Sequence, residues 1–152
     1  MTPMAELAHA CAAALRLPDR GWSGVLLTGP SGAGKSDLLL RLMDHGWRAV
    51  ADDYAQVWRS QQRLYARAPD RIFGRMEIRG LGITPIPALP FSRVDLIVRC
   101  VDQPPERLPE PAFQSLADVP VPTIDIQALN ASAPARLAVA LRALGAGRPL
   151  AY

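Results

Sequence analysis

Gly29-Pro30-Ser31-Gly32-Ala33-Gly34-Lys35-Ser36 is the stretch whose reading decides the fold. A glycine, four residues and then Gly-Lys-Ser match the Walker A pattern, with an additional glycine inside it. Val25-Leu26-Leu27-Thr28 leads into the loop as a short apolar run with a β-branched residue at each end, the pattern of a buried strand. From Ser36 to His45 the period becomes helical: Leu38, Leu39 and Leu42 make one apolar stripe, and Gly46 is placed to cap the end. In a strand, glycine loop and helix taken in that order, successive backbone N–H groups turn inward on phosphate oxygens, and the helix adds the positive end of its dipole. Gly29, Pro30, Ser31, Gly32, Ala33, Gly34, Lys35 and Ser36 are therefore the candidate nucleotide-binding set. Lys35 would set its charge on the β and γ phosphates, and the Ser36 hydroxyl would coordinate the Mg²⁺ between them. The competing reading, a glycine-rich turn with an incidental lysine, does not account for the flanking strand and helix.

Working outward, Ala49-Val50-Ala51 is a second short strand ending on Asp52 and Asp53, 17 and 18 residues beyond Lys35. At the end of a strand parallel to the first, such a pair faces the nucleotide crevice. One carboxylate can hold Mg²⁺ and the other can take a proton from an attacking hydroxyl; without the loop the pair would read as a solvated turn. Ala55 to Arg59 and Arg63 to Ala66 flank Ser60-Gln61-Gln62 as a hairpin. Glu77-Ile78-Arg79-Gly80-Leu81-Gly82-Ile83 holds an acid, a base and two glycines. It reads either as a strand end with an ion pair or as backbone approaching a ligand, with Glu77 a second carboxylate for the metal. Val94 to Val101 and Pro122 to Ile126 are further strands, and Ala133 to Leu144 is a helix entered near Pro134. The expected class is α/β with a mixed sheet. The segment from Leu7 to Leu15 stays open, since its alanines favour helix and its position favours a sheet partner. His9 within it is, on local evidence, a structural residue.

The bulk numbers set bounds. A length of 152 residues, 49% hydrophobic and 20% charged, predicts one globular domain over 1–152. No run approaches the roughly 18 apolar residues of a membrane helix, and the N-terminus lacks the order of a signal peptide, which predicts a cytoplasmic protein. The two cysteines, Cys11 and Cys100, form no CxxC pair and read as buried small hydrophobes. A net charge of +3 suits phosphate ligands or an acidic partner, but the arginines are scattered with no aromatic-basic stripe, which speaks against nucleic acid. Prolines concentrate from Thr84 to Pro122 and predict a helix-poor middle.

His9, residues 29–37, Val-Ala-Asp-Asp (50–53) and Glu-Ile-Arg-Gly-Leu-Gly-Ile (77–83) together resemble, in order and spacing, the HPr kinase/phosphorylase family. The resemblance is dense from His9 to Ile83, about half of the chain, and its last motif is the most specific. It implies a bacterial serine kinase that uses ATP and Mg²⁺ to phosphorylate the phosphocarrier HPr, and a P-loop fold similar to that of phosphoenolpyruvate carboxykinase. By position it makes the Leu7 to Leu15 segment a strand and His9 a catalytic histidine beside the acid pair. It puts the base in that pair, with Asp53 preferred over Asp52, and makes Glu77 a metal ligand. It also implies a hexamer.

Three departures qualify the resemblance. The chain looks like a short form made of the catalytic domain, without the family's N-terminal regulatory domain. The distance from His9 to the loop is longer than usual, which predicts an enlarged hairpin turn around Leu17 to Trp22. The family's C-terminal Pro-Gly-Arg-Asn loop is echoed only by Pro134-Ala135-Arg136, with Arg136 the candidate for its arginine, so reverse phosphorolysis is the less supported direction. The other readings are a small-molecule P-loop kinase, for which no basic lid segment is found, and a regulator that binds nucleotide as a switch. Retention of the acids speaks against the latter.

Overall fold

The structure, a computed structural model, describes residues 5–18, 20–148 and 150. Eleven strands and two helices follow in the order β1 (Glu6–Ala8), β2 (Cys11–Leu17), β3 (Gly21–Thr28), α1 (Lys35–Asp44), β4 (Arg48–Ala51), β5 (Ala55–Ser60), β6 (Arg63–Arg67), β7 (Arg75–Ile78), β8 (Gly82–Pro85), β9 (Ser92–Cys100), β10 (Phe113–Leu116), β11 (Val119–Ile126) and α2 (Ala133–Gly145). The main sheet runs β1-β5-β6-β9-β3-β2-β4, and β7 with β8 forms a separate ribbon. The sheet is mixed: β9 lies parallel to β3, while β6 is antiparallel to it.

The free edge of β9 is shared. Its first residues, Ser92 to Val94, pair with β6, and its last, Ile97 to Cys100, pair in parallel with β11. One edge serving two partners makes the sheet curl, and the curl separates two cores. On the outer side α1 and α2 press Leu38, Leu39, Leu42, Leu137 and Leu141 against Val25, Leu27, Leu96 and Val98. On the other side Leu26 and Ile97 meet Val57, Leu64 and Val121. Strands β3 and β9 are thus buried on both faces, which is why Val25 to Leu27 and Leu96 to Val98 read as unbroken apolar runs. Each of these side chains contributes about 1.5–3 kcal/mol by leaving water.

Helix α1 ends as its sequence predicts. Gly46 takes φ 91°, its N–H bonds Met43 O at 3.1 Å, and the Trp47 N–H reaches back to Leu42 O at 3.1 Å, a Schellman closure with Trp47 buried over it. The hairpin β5–β6 turns on Gln61 and Gln62. No helix lies between Asp44 and Ala133 among the described residues, in keeping with the prolines there.

Two local expectations are corrected. The open Leu7 to Leu15 segment is not one strand: it is β1, pairing with β5, then β2, pairing with both β3 and β4, with His9 at the break. The expected enlarged turn is also not there. Pairing of β2 with β3 continues to Leu17 opposite Gly21, so the extra length goes into longer strands; Asp19, inside the expected turn, lies outside the described residues. This hairpin needs Gly24, since a Cβ there would stand 2.2 Å from the Arg93 carbonyl oxygen where β3 bulges against β9.

Candidate active site

The apolar strand β3 ends at Thr28, and the chain must turn sharply to enter α1. Gly34 makes the last step: it caps the helix at φ 95°, and a Cβ there would lie 3.0 Å from Leu129. Gly32 also has positive φ, but a Cβ on it would meet nothing within 4 Å, so the loop encloses open space at that point. Lys35 begins the helix and is only 6% exposed. Its ammonium group donates to Gly29 O at 2.5 Å and Pro30 O at 3.0 Å, so the loop carbonyls hold the charge over the cradle. Ser36 follows, and its hydroxyl donates to Asp52 Oδ1 at 2.8 Å.

Strand β4 brings the acids to this point. It runs antiparallel to β2, which runs antiparallel to β3, so β3 and β4 point the same way and end on the same side of the sheet. Beyond Ala51 the chain makes a γ-turn: the Tyr54 N–H bonds Asp52 O at 2.8 Å, with Asp53 between them at φ 69°. The two carboxylates therefore face different neighbours. Asp52 meets Ser36, while Asp53 meets His9, whose Nε2 stands 3.1 Å from Asp53 Oδ1. The His9 ring also packs on Tyr54 at 5.1 Å between centroids.

Behind the acids lies Cys11, buried, with its sulfur 3.4 Å from Asp52 Oδ1. Burial, with the Asp52 charge adding to it, pushes the Cys11 thiol up to about 12, so it keeps its proton near neutral pH and donates to the carboxylate. Cys100 sits under the loop, where a Cβ on Gly29 would lie 2.9 Å from its carbonyl oxygen. Burial pushes its thiol up to about 11, against the opposing pull of Lys35.

One cleft of about 670 Å³ takes in His9, Lys35, Ser36, Asp52, Asp53 and Glu77. Ser31, Gly32 and Gly34 also line it, whereas Gly29, Pro30 and Ala33 are not among its lining residues. Arg136 is not brought in. It lies on an exposed turn of α2, in a helix where the resemblance expected a loop, and the arginine in the cleft is Arg79. Gly80 and Gly82 are not among the residues that line the cleft. Both have φ 86° and open space where a Cβ would be, so they serve the β7–β8 turn, with Leu81 and Ile83 exposed on it. Sequence reasoning missed the polar role of Cys11, because its partners Ser36, Asp52 and Asp53 lie 25, 41 and 42 residues away in the chain.

The oxygens present fit a magnesium nucleotide. Ser36 and Asp52 converge at 2.8 Å beneath the loop, and Glu77 lines the same cleft. Among the described residues no three His, Cys, Asp or Glu side chains come together as a metal site. A partial oxygen set of this kind suits Mg²⁺, which keeps waters and takes its other ligands from phosphates.

Comparison with known proteins agrees with this geometry. A family model described as HPr Serine kinase C-terminal domain matches residues 19–137. An HPr kinase/phosphorylase from Leptothrix cholodnii is 41% identical over 113 residues, 64% of this chain and 34% of the relative. One from Polaromonas naphthalenivorans is 37% identical over 119 residues, 68% of this chain and 37% of the relative. The chain thus spans about a third of the length of these curated relatives. In fold it is similar to the solved Hpr(Ser) kinase/phosphatase from Coxiella burnetii, with a TM-score of 0.75, 23% identity, and 93% of this chain and 97% of that chain covered.

Proposed function

This chain belongs to the HPr Serine kinase C-terminal domain family, and from that premise we propose that it is an ATP- and Mg²⁺-dependent kinase for a serine of an HPr-like phosphocarrier protein. The observation that carries the reading is the division of the acid pair. Asp52 is tied to the Ser36 hydroxyl at 2.8 Å, and Asp53, with its side chain 60% exposed, is tied only to His9 at 3.1 Å among the described residues. A kinase needs both an acid on the metal side and an acid free to meet the acceptor.

The roles follow from these positions. Ser36, Asp52 and Glu77 would hold Mg²⁺, which would supply the charge that offsets the phosphates. Lys35 exchanges the Gly29 and Pro30 carbonyls for phosphate oxygens, and the loop N–H groups fix the transferred group in line. Asp53 accepts the proton of the serine hydroxyl, and His9 holds that carboxylate in place. Arg79, in the cleft, takes the charge-stabilising role expected of Arg136. In the reverse direction, phosphorolysis of the phosphoserine by inorganic phosphate would have Asp53 return the proton. The reading includes residues 1–152 as one catalytic unit, a cytoplasmic location and a homo-oligomer, a hexamer by the resemblance.

Incubating the purified chain with γ-labelled ATP, Mg²⁺ and HPr tests it. Label on a serine of HPr is the expected result. Nucleotide binding without transfer to HPr would favour a switch, and transfer to a small alcohol alone would favour a metabolite kinase. Either result sinks the reading.

A further inference from the structure

Cys11 opens β2 directly behind the acid turn and is fully buried. Its sulfur touches three residues on two pieces of the site, the acid turn and α1. It donates to Asp52 Oδ1 at 3.4 Å, accepts the Asp53 backbone N–H at 3.4 Å, and lies 3.8 Å from Ser36 Oγ. For the Asp53 N–H it is the one acceptor among the described residues. The second observation is the backbone at Asp53. A φ of 69° is uncommon for a residue with a side chain, and such a conformation persists only where its surroundings determine it. The γ-turn bond from Tyr54 closes the turn but does not anchor it to α1.

From the contacts and the strained turn together we propose that Cys11 is a positioning residue, whose thiol fastens the acid turn to the first turn of α1 and so fixes Asp52 and Asp53 relative to Ser36. An apolar side chain of similar size would fill the same space but leave the Asp53 N–H without this partner and Asp52 short of a donor, and unmade hydrogen bonds at a partly buried site are costly. With that anchor lost, Asp53 relaxes away from the productive geometry, where a displacement of about 1 Å can cost about a hundredfold in rate. Serine keeps a donor and an acceptor at the same position. The prediction therefore separates polarity from packing.

The test compares wild type with Cys11→Val, Cys11→Ala and Cys11→Ser, using two readouts. The first is amide hydrogen exchange at Asp53 in the protein without nucleotide or metal, which does not depend on the kinase reading. The second is phosphotransfer to HPr, with kcat and the KM for ATP separated, which rests on that reading. In the valine and alanine variants, Asp53 exchange should quicken by about tenfold or more, and kcat should fall by roughly 10–100-fold with the KM for ATP within about threefold. Cys11→Ser should restore both to within about threefold. Unchanged Asp53 exchange in the apolar variants, or a serine variant as impaired as valine, overturns the proposal. If wild type moves no phosphate to HPr, the kinase reading fails while the exchange measurement still decides the role of Cys11. The alanine variant, smaller than cysteine, covers the case in which valine does not fold.

Discussion

Two hollows of about 670 Å³ each open on this molecule, and what lines them differs completely. The first is the cleft at the phosphate loop, where Lys35, Asp52, Asp53, Glu77 and His9 converge from four separate stretches of chain. The second is a groove on the β5–β6 hairpin lined by Trp58, Phe73, Pro90 and Phe91, with Trp58 stacked on Tyr65 at 5.8 Å and Phe91 at 6.4 Å from Trp58. Its charges satisfy each other: Arg67 pairs with Asp70 at 2.5 Å, an exposed pair worth at most about 1 kcal/mol. Volume therefore does not identify the reacting site. Unlike charges held apart on separate elements do, because folding brings such groups together only against their hydration.

The sharpest way to break this contrast is Lys35→Ala. The loop loses its one cation beside the β and γ phosphates, and phosphotransfer should fall by on the order of a thousandfold or more, with weaker ATP binding by calorimetry. Near-normal turnover would remove the loop from the chemistry. Asp53→Asn comes next. It should cut the chemical step by about 10²–10⁴ while ATP binding stays almost intact. Equal loss of binding would assign Asp53 to the metal, and the same loss of rate from Asp52→Asn alone would reverse the assignment of the pair.

The cleft was far more legible in the sequence than the groove, for a physical reason. The loop, the Leu38–Leu39–Leu42 stripe and the Gly46 cap are local, each set by a few neighbouring residues. The alanine-rich stretch around His9 is different. Alanine's helix preference is outweighed by pairing with β3 and β4, and those partners lie up to some forty residues away in the chain. The same holds for Cys11, whose polar contacts come from Ser36, Asp52 and Asp53. Arg136 shows the opposite failure: a faint local echo placed it in the site, and the helix α2 carries it to the surface. Glu77 lines the cleft, while Gly80 and Gly82 serve the turn of the β7–β8 ribbon beside it.

His9→Ala is a smaller perturbation. The His9–Asp53 pair is partly exposed, with side chains 38% and 60% accessible, so its loss should change stability by less than about 1 kcal/mol. Its effect lies in orienting the carboxylate, and about a tenfold fall in kcat with unchanged KM for ATP is expected. Wild-type kcat in the variant would leave the histidine a packing partner of Tyr54.

The buried thiols add a pH-dependent difference. Cys11 has its pKa raised from 9.0 to about 12 by burial, so in the unfolded chain it ionises first. The fold then binds more protons than the unfolded state above pH 9, and stability must fall as pH rises from there toward 12. Urea unfolding of wild type and Cys11→Ser at pH 8 and 10.5 should show wild type losing about 2 kcal/mol more across that interval. Parallel losses would mean that the thiol is hydrated in the folded protein.

Trp58→Ala should have the smallest effect on phosphotransfer. The indole lies on the outer face of β5, stacked on Tyr65, and none of the groove's lining residues is shared with the cleft. Removing a half-buried aromatic side chain costs about 1–2 kcal/mol through lost apolar contact and stacking, and thermal unfolding should shift accordingly. The kcat and the KM for ATP should stay within about twofold of wild type, because no group that touches nucleotide depends on the indole. The KM for HPr is the quantity that sharpens the contrast. If it too is unchanged, the aromatic groove is a feature of the fold and the cleft alone serves the reaction. A rise in the KM for HPr, with the KM for ATP unaltered, would give the groove the acceptor protein and leave the nucleotide to the cleft.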